Sequence, residues 1–260
     1  MPTTSRPPLV PAHVRGDTDS PSAPAPLAAA PRATVIVPAY NEEGGLAAVL
    51  NELREQLDES IEILVVDDGS TDRTAAVAEA SGARLVRHPR NRGKGAALRT
   101  GLEHAAGERI VLIDADGTYP VREIPRMLDL LDSNDLVLGA RRVGRANIPR
   151  LNRLGNAVFS TGIRTLSGLR AADPLTGLYA TWRHHLRAMD LRSQGFGIET
   201  EITMKSAALG LVVADHAIPY GSRVGRTKLR PLRDGTAIAL TMARLALVRL
   251  LRRRPHAPRD

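Results

Sequence analysis

The stretch "VLIDADGTYP", residues 111–120, decides how the rest of the chain is interpreted. Its apolar start predicts a buried strand, and two carboxylates, Asp114 and Asp116, follow one residue apart. Side chains two residues apart on an extended segment point the same way, and like charges so close repel each other unless a cation lies between them. Hard cations such as Mg²⁺ or Mn²⁺ prefer carboxylate oxygen and keep positions open for phosphates. The pair therefore predicts a site for a metal and a diphosphate, with an exposed Asp-Gly turn as the alternative.

Strands and helices alternate over the first half of the chain. The strands are predicted in "ATVIVPAY", "IEILVVDDGS", "ARLVRH" and "ERIVLIDAD", with helical segments between them. This alternation predicts right-handed crossovers and a mostly parallel α/β sheet with helices on both faces. Ligands of such sheets bind outside the carboxyl ends of the strands, and "PAYNE", "VDDGS" and "DADG" all lie at predicted strand ends. We therefore expect one site at that edge.

Composition divides the chain into three parts. Residues 1–31 hold eight of the 18 prolines, among Ala, Ser and Thr, which predicts a disordered leader. Residues 32–233 carry the predicted strands and helices and are expected to form one domain. Within that domain, residues 141–153 hold five arginines and few apolar residues, so we predict a mobile basic loop. Residues 234–260 are predicted to form a C-terminal basic apolar helix and tail.

The overall composition narrows the class of protein. The net charge of +8 over 260 residues favours anionic partners. The absence of cysteine excludes a thiolate nucleophile and a Cys-based zinc site. Only two Phe, four Tyr and one Trp are present, which argues against a nucleic-acid-binding module that stacks bases on aromatic rings. Neither a membrane span of about 18 apolar residues nor the apolar core of a signal peptide is found, so we expect a cytoplasmic protein.

Two other motifs offer polar groups near the predicted strand ends. In "VVDDGSTDRT", Asp67 and Asp68 would reach a ribose or a base, although a helix cap explains the motif equally well. In "NRGKGAALRTG", Lys94 lies between two glycines ahead of a helix and would contact a diphosphate or base, or else remain solvated. The second motif lacks the spacing of a P-loop.

Four motifs together resemble a known family. "VIVPAYNEE", "ILVVDDGSTDRT", "NRGKGAALRTGL" and "IDADGTYP" are similar, in order and spacing, to the family 2 glycosyltransferases with the Rossmann-like GT-A fold. The resemblance covers residues 33 to about 230 and implies a nucleotide-sugar donor. "ADPLTGLYA", "IETEIT" and "IPYGSRVGRTKL" look like the branch of dolichyl- and polyprenyl-phosphate sugar synthases.

The resemblance implies roles for individual residues. Nucleotide-sugar binding would involve Pro38, Tyr40, Glu42, Asp67, Asp68, Lys94, Asp114, Ala115 and Asp116. Asp114 and Asp116 would hold Mg²⁺ or Mn²⁺, and Asp116 would act in catalysis together with Asp173, which would lie beside the sugar and the attacking oxygen. Acceptor or donor phosphate would be bound by Arg141, Arg223 and Lys228.

The implied reaction is a metal-dependent, inverting transfer of a hexose from a nucleotide sugar to a polyprenyl phosphate. A phosphate acceptor is already anionic and needs positioning and charge neutralisation rather than a base. A hydroxyl acceptor would instead need Asp173, Glu199 or Glu201 to take its proton. The forms "NRGKGAA" and "DADGTYP" favour a UDP-hexose, such as UDP-glucose, over GDP-mannose.

Several alternatives stay open at this point. One is a soluble family 2 glycosyltransferase acting on a phosphorylated small molecule or a natural-product hydroxyl. A nucleotidyltransferase would share the sheet and the metal, but it normally has Gly-rich basic sequence where "VIVPAYNEEGGL" has acids. The basic apolar tail would either lie in a membrane interface or pack on the domain. Peripheral contact with the cytoplasmic face of the plasma membrane is therefore one expectation.

Overall fold

A seven-stranded sheet lies at the centre of the structure, a computed structural model that describes residues 30–225 and 227–252. The strands are β1 (Ala33–Ala39), β2 (Ile61–Asp67), β3 (Arg84–Arg87), β4 (Arg109–Leu112), β5 (Leu136–Val143), β6 (Tyr179–Trp182) and β7 (Val213–Pro219). Their order is β3-β2-β1-β4-β6-β5-β7, with β6 antiparallel to both neighbours and every other pair parallel. The predicted mostly parallel sheet is confirmed.

Eight α-helices are formed within the described residues. They are α1 (Glu43–Gln56), α2 (Thr74–Ala80), α3 (Lys94–His104), α4 (Ile124–Leu130), α5 (Arg150–Ser167), α6 (Arg183–Ala188), α7 (Ile198–Ala208) and α8 (Pro231–Arg252). None of these helices, within that part of the chain, combines the length and apolarity that crossing a membrane requires.

The central strand β1 shows why the sheet is covered on both faces. Successive side chains of a strand point to opposite faces, and here both sets are mostly apolar and buried, with Thr34 as the polar exception. Val35 and Val37 join a core cluster with Leu50 of α1 on one face, whereas Ile36 joins another with Leu98 of α3 on the opposite face. A strand that is buried on both sides reads as a continuous apolar run, which is what the sequence of β1 shows.

A third, smaller core cluster joins three helices at one end of the domain. Ile163 of α5, Met204 of α7, and Ile238 and Met242 of α8 are buried together. The long helix α8 therefore packs on the domain through one of its faces. It begins at Pro231, three residues before the boundary predicted for the C-terminal helix, because that residue suits the first turn of a helix.

The arginine-rich stretch at residues 141–153 differs from the predicted mobile loop. Strand β5 continues through Val143, a 3₁₀ turn spans Arg145–Asn147, and α5 begins at Arg150. The prediction was wrong because it counted charge and overlooked pairing: Arg141 is buried in the strand, where a carboxylate neutralises it.

Two boundaries of the predicted organisation remain as predictions. The proposed leader, residues 1–31, lies outside the described residues except for its last two, and so does the end of the tail at 253–260. The structured chain enters the sheet at Ala33, where β1 begins.

Candidate active site

A cavity of about 500 Å³ lies at the carboxyl ends of β1, β2 and β4, which are neighbours in the sheet. It is lined by residues of the loops after these strands, of the start of α3 and of the segment 223–234. The predicted site residues that line it are Pro38, Tyr40, Glu42, Asp68, Lys94, Asp114, Ala115, Asp116, Arg223 and Lys228. The structure thus brings together residues that lie far apart in the sequence.

Asp114 and Asp116 both face this cavity, although β4 ends at Leu112 and the pair lies in the loop beyond it. Asp114 Oδ1 is 2.5 Å from the ammonium of Lys94. Asp116 Oδ2 is 2.5 Å from Nη1 of Arg223, and its Oδ1 accepts hydrogen bonds from the amide and hydroxyl of Thr118 at 3.0 and 2.6 Å. Each carboxylate therefore has its own cationic partner.

Lys94 is buried between two carboxylates. Its Nζ lies 2.5 Å from Asp114 and 2.5 Å from Glu199, which comes from the first turn of α7. Burial alone would lower the pKa of Lys94, but the two carboxylates hold it well above its usual range. Burial likewise raises the pKa of Asp114, with Lys94 acting against the shift and Asp116 adding to it.

The donor set of this loop fits a divalent cation that a diphosphate completes. Within residues 30–225 and 227–252, no group of three or more His, Cys, Asp or Glu side chains is placed to hold a metal ion. Mg²⁺ and Mn²⁺ are often held by one or two carboxylates together with phosphates of the substrate. Asp114 and Asp116 supply two such carboxylates on one cavity wall, where repulsion between them favours a shared cation.

Arg223 bridges two acidic side chains of the cavity lining. The guanidinium of Arg223 contacts Glu42 through Nη2 and Asp116 through Nη1. Burial raises the pKa of Glu42 to about 7, against the lowering effects of Arg223 and Lys228. Lys228 also donates from Nζ to the carbonyl of Asn41 at 2.7 Å. The segment that carries Arg223 and Lys228 is thereby tied to the loop after β1.

The two acids at the end of β2 have different surroundings. Asp67 is fully buried and does not line the cavity, because its carboxylate accepts the amide of Ser70 at 2.9 Å and pairs with Arg87 at 2.9 Å. Asp68 lines the cavity, and its oxygens accept the backbone amides of Arg92 and Gly93 at 2.9 and 2.7 Å. Of the two acids, Asp68 is the one that faces the cavity.

Arg141 and Asp173 are also absent from the lining of this cavity. Arg141 donates from Nε and Nη2 to the two oxygens of Asp173 at 2.6 and 2.8 Å, and both residues are buried. They line a second cavity, of about 210 Å³, together with Arg153, Ser160 and Arg164 of α5. The structure therefore places both residues at a second, arginine-rich cavity.

A short segment connects the two cavities. Asp173 begins it, and at its other end the backbone of Gly177 lies so close to the carboxylate of Asp114 that a Cβ atom there would collide with it. The Gly177 amide donates to the hydroxyl of Tyr119 at 2.6 Å. Tyr220 packs edge-on against Tyr119 at 5.3 Å between ring centroids, and the Arg141 guanidinium lies 5.4 Å from the centre of the Tyr220 ring. Only three residues of chain thus lie between Asp173 at one site and Gly177 beside the other.

Some residues of the site were not foreseen in these roles. Glu199 was considered only as a base for a hydroxyl acceptor, but it is a partner of Lys94. His88, which shows no metal or catalytic spacing, lies 2.7 Å from Asp68 and 2.9 Å from the hydroxyl of Thr100. Sequence spacing carries no signal for either contact, because both depend on how distant elements meet.

Comparison with known proteins decides the family. The family model described as glycosyl transferase family 2 matches residues 34–190, which contain the loops after β1, β2 and β4. The chain belongs to glycosyl transferase family 2. The predicted family and enzyme class are thereby confirmed for this family 2 glycosyltransferase.

Relatives of established name support the same branch. A dolichyl-phosphate hexose transferase of Haloferax volcanii is 34% identical over 220 residues, which are 84% of this chain and 95% of the relative. An undecaprenyl-phosphate mannosyltransferase of Micrococcus luteus is 33% identical over 214 residues, which are 76% of this chain and 87% of the relative. The resemblance to the polyprenyl-phosphate sugar synthase branch is confirmed.

Solved structures support the GT-A fold of this family 2 glycosyltransferase. Glucosyl-3-phosphoglycerate synthase from Mycobacterium tuberculosis, in complex with Mn²⁺, UDP-glucose and phosphoglyceric acid, superposes with a TM-score of 0.65 at 28% identity. The match covers 82% of this chain and 79% of that one. The same synthase in complex with Mg²⁺ and UDP gives a TM-score of 0.67 at 29% identity, with the same coverage of both chains.

Proposed function

We propose that this family 2 glycosyltransferase is metal-dependent and transfers a hexose, with inversion, from a UDP-sugar such as UDP-glucose to a polyprenyl phosphate. The observation that carries the proposal is the pair of cavities joined by the segment 173–177. One holds paired carboxylates suited to a metal and a diphosphate, and the other is rich in arginine. Relatives named for lipid-phosphate acceptors cover most of the chain.

The larger cavity is the proposed donor site. The nucleoside would lie against Pro38, Tyr40 and Asp68, and the diphosphate would lie beside Asp114 and Asp116. A metal held by those two carboxylates would neutralise charge that develops on the leaving diphosphate. The positive charges of Lys94 and Arg223, already fixed at the same wall, would stabilise that leaving group further.

The candidate general bases of the sequence are all committed to cations. Asp173 pairs with Arg141, Glu199 with Lys94 and Glu201 with Lys205. Burial raises the pKa of Glu201, but hydrogen bonds from Lys205 and from backbone amides bring it below its ordinary value. The lowered pKa makes Glu201 a weak proton acceptor, and the oxygens of Asp173 and Glu199 already contact cations, which favours an acceptor that needs no base.

The smaller cavity is the proposed site of the acceptor phosphate. Arg153 and Arg164 line it, and guanidinium groups bind phosphate by charge-assisted hydrogen bonds. Arg141, neutralised by Asp173, would shape the cavity wall. A phosphate oxygen would attack the anomeric carbon, and the bond from that carbon to the diphosphate oxygen would break with its electron pair leaving on the nucleoside diphosphate. No proton has to move in this exchange.

The solved relatives support a donor, and the lipid acceptor implies where the enzyme acts. Solved relatives were crystallised with UDP or UDP-glucose and Mn²⁺ or Mg²⁺, which supports a UDP-hexose donor and either metal. A polyprenyl phosphate resides in a bilayer, so the enzyme would work peripherally at the cytoplasmic face of the membrane.

A soluble acceptor is the second candidate, because the glucosyl-3-phosphoglycerate synthase relative binds phosphoglyceric acid. Transfer from radiolabelled UDP- and GDP-sugars with Mn²⁺ should be compared for two acceptors, a short polyprenyl phosphate in detergent and 3-phosphoglycerate. The proposal expects label in the lipid from a UDP-hexose. Label in phosphoglycerate alone would support the second candidate, and label from GDP-mannose alone would overturn the donor assignment.

A further inference from the structure

We infer that α5 and α8 together form a docking surface for an anionic lipid bilayer, an inference that deepens the proposed function by naming how the enzyme reaches a membrane-borne acceptor. The first observation is the outer face of α5. Leu151, Leu154 and Val158 are 63%, 64% and 61% exposed, and their spacing of three and four residues places them on one side of the helix. Ile163, on another side of α5, is fully buried.

Helix α8 repeats this arrangement. Leu240, Leu247 and Leu250 are 66%, 57% and 67% exposed, and spacings of seven and three residues place them on one side. Ile238 and Met242, on the opposite side, are buried in the core cluster that joins α5, α7 and α8. Each helix therefore carries one apolar stripe that packs on the domain and a second that does not.

The two outer stripes face the same way. Helices α5 and α8 contact each other closely enough that a Cβ atom at Gly162 would lie 2.5 Å from the terminal methyl of Met242. Both helices also pack on α7 through their inner faces. Because the outer stripes lie opposite those inner faces, they point away from α7 together. The result is two apolar stripes on neighbouring helices, each more than half exposed among the described residues.

The charge of the two helices indicates what covers this surface. Together α5 and α8 carry seven arginines and one aspartate, so they account for most of the net charge of +8. Anionic lipid attracts such a surface by about 1 kcal/mol for each well-placed arginine. A second copy of the chain would instead bring like charges together, which disfavours self-association through this face. An apolar stripe bordered by arginine is the pattern of helices that lie in a bilayer interface.

The surface also adjoins both cavities. Arg153 and Arg164 of α5 line the arginine-rich cavity, and Arg233 of α8 lines the donor cavity. Docking through α5 and α8 would therefore bring the proposed acceptor site to the depth of lipid headgroups, while the prenyl chain stays in the bilayer.

Flotation of the full-length chain with phosphatidylcholine vesicles, with and without phosphatidylglycerol, tests the inference in the absence of donor and acceptor. We expect the wild type to bind the phosphatidylglycerol vesicles and to be released by salt. Leu154→Glu and Leu240→Glu should each lower the vesicle partition coefficient about tenfold or more, because each removes one leucine that would be buried in the bilayer. Leu209→Glu is the matched control, because Leu209 is 48% exposed at the end of α7, and it should bind like the wild type.

The remaining outcomes separate this inference from the proposed function. Both stripe variants should still transfer hexose to a short acceptor dispersed in detergent. Vesicle binding by the stripe variants equal to that of the wild type would overturn the docking surface, whatever their activity. If the wild type bound the vesicles but transferred no hexose to the lipid acceptor, docking would stand and the proposed function would be overturned. A wild-type dimer in sedimentation, dissociated by Leu154→Glu, would assign the face to a second copy and overturn the bilayer. If one stripe variant does not fold, the other decides.

Discussion

The guanidinium of Arg141 holds the carboxylate of Asp173 by two side-chain hydrogen bonds, at 2.6 and 2.8 Å, inside the domain. The pair spans the end of β5 and the segment that leads to Gly177, so it fixes where that segment runs against Asp114. Both oxygens of Asp173 are occupied by Arg141, so we propose that this side chain anchors the segment. This arrangement is the physical reason to favour a phosphate acceptor over a hydroxyl.

Breaking the pair from one side should be costly. Arg141→Met leaves the charge of Asp173 buried without its partner, and the free energy of unfolding should fall by about 3 kcal/mol. The double variant Arg141→Met/Asp173→Leu removes both charges and should recover most of this loss. Urea denaturation measures both values. A double variant as unstable as the single one would contradict the assignment of Asp173 as the partner that needs neutralising.

Removing one carboxylate of the proposed metal site should abolish turnover. Asp114→Asn removes one anionic ligand from the proposed metal, which in turn would bind the diphosphate, so kcat/KM should fall by about a thousandfold or more. Mn²⁺ affinity, measured by calorimetry with UDP present, should fall with it. Asp132→Asn is the matched control, because Asp132 is an exposed acid paired with Arg109. Activity of Asp114→Asn near that of the wild type would exclude the metal assignment.

A methyl group at Gly177 should act on the site by steric contact. In Gly177→Ala the new Cβ meets the carboxylate of Asp114 and must displace it, so kcat should fall at least about tenfold while the fold is retained. Gly155→Ala is the control, since the nearest atom to its Cβ is 4.0 Å away and alanine favours a helix by about 1 kcal/mol. Thermal unfolding and steady-state kinetics measure the two effects. Equal activity of both variants would show that Asp114 is free to move.

The raised pKa of Glu42 predicts a pH dependence of stability. Burial raises the folded-state pKa from 4.5 to about 7, so between these values the folded protein keeps a proton that the unfolded chain has released. The free energy of unfolding should therefore fall as the pH rises through this window, by about 1 to 3 kcal/mol. Glu42→Gln cannot titrate and should lack this part of the loss. Urea denaturation of both proteins, with a chelator present and at pH values below and above this window, measures the difference. If the free energies of unfolding of the two proteins changed equally with pH, the raised pKa of Glu42 would be refuted.

The sequence predicted the sheet and the main cavity because both follow from local patterns. The apolar run of β1 is visible without a structure, and the loops after β1, β2 and β4 meet because parallel neighbours end at one edge. Asp114 and Asp116 could be recognised from their spacing alone. They lie in the loop beyond the end of β4 rather than in the strand, but they still line the predicted cavity.

The sequence failed where the outcome depends on a distant partner. The arginine content of residues 141–153 suggested a loop, and only the folded chain places Asp173 beside Arg141. Asp67 and Asp68 are adjacent in sequence, but Arg87 engages the first, whereas the amide of Gly93 orients the second. The burial of Lys94 between Asp114 and Glu199 likewise depends on α7, which lies a hundred residues further along the chain.

The lipid product itself distinguishes the proposed reaction from its alternatives. The full-length chain is incubated with UDP-glucose, Mn²⁺ and a polyprenyl phosphate in detergent, and the lipid product is analysed by mass spectrometry and by NMR of its anomeric proton. We expect a lipid heavier by one hexose, joined through the phosphate in the configuration opposite to that of the donor, and no product once the metal is chelated. Hexose on a hydroxyl, retained configuration, or undiminished product with chelator would contradict the proposed reaction.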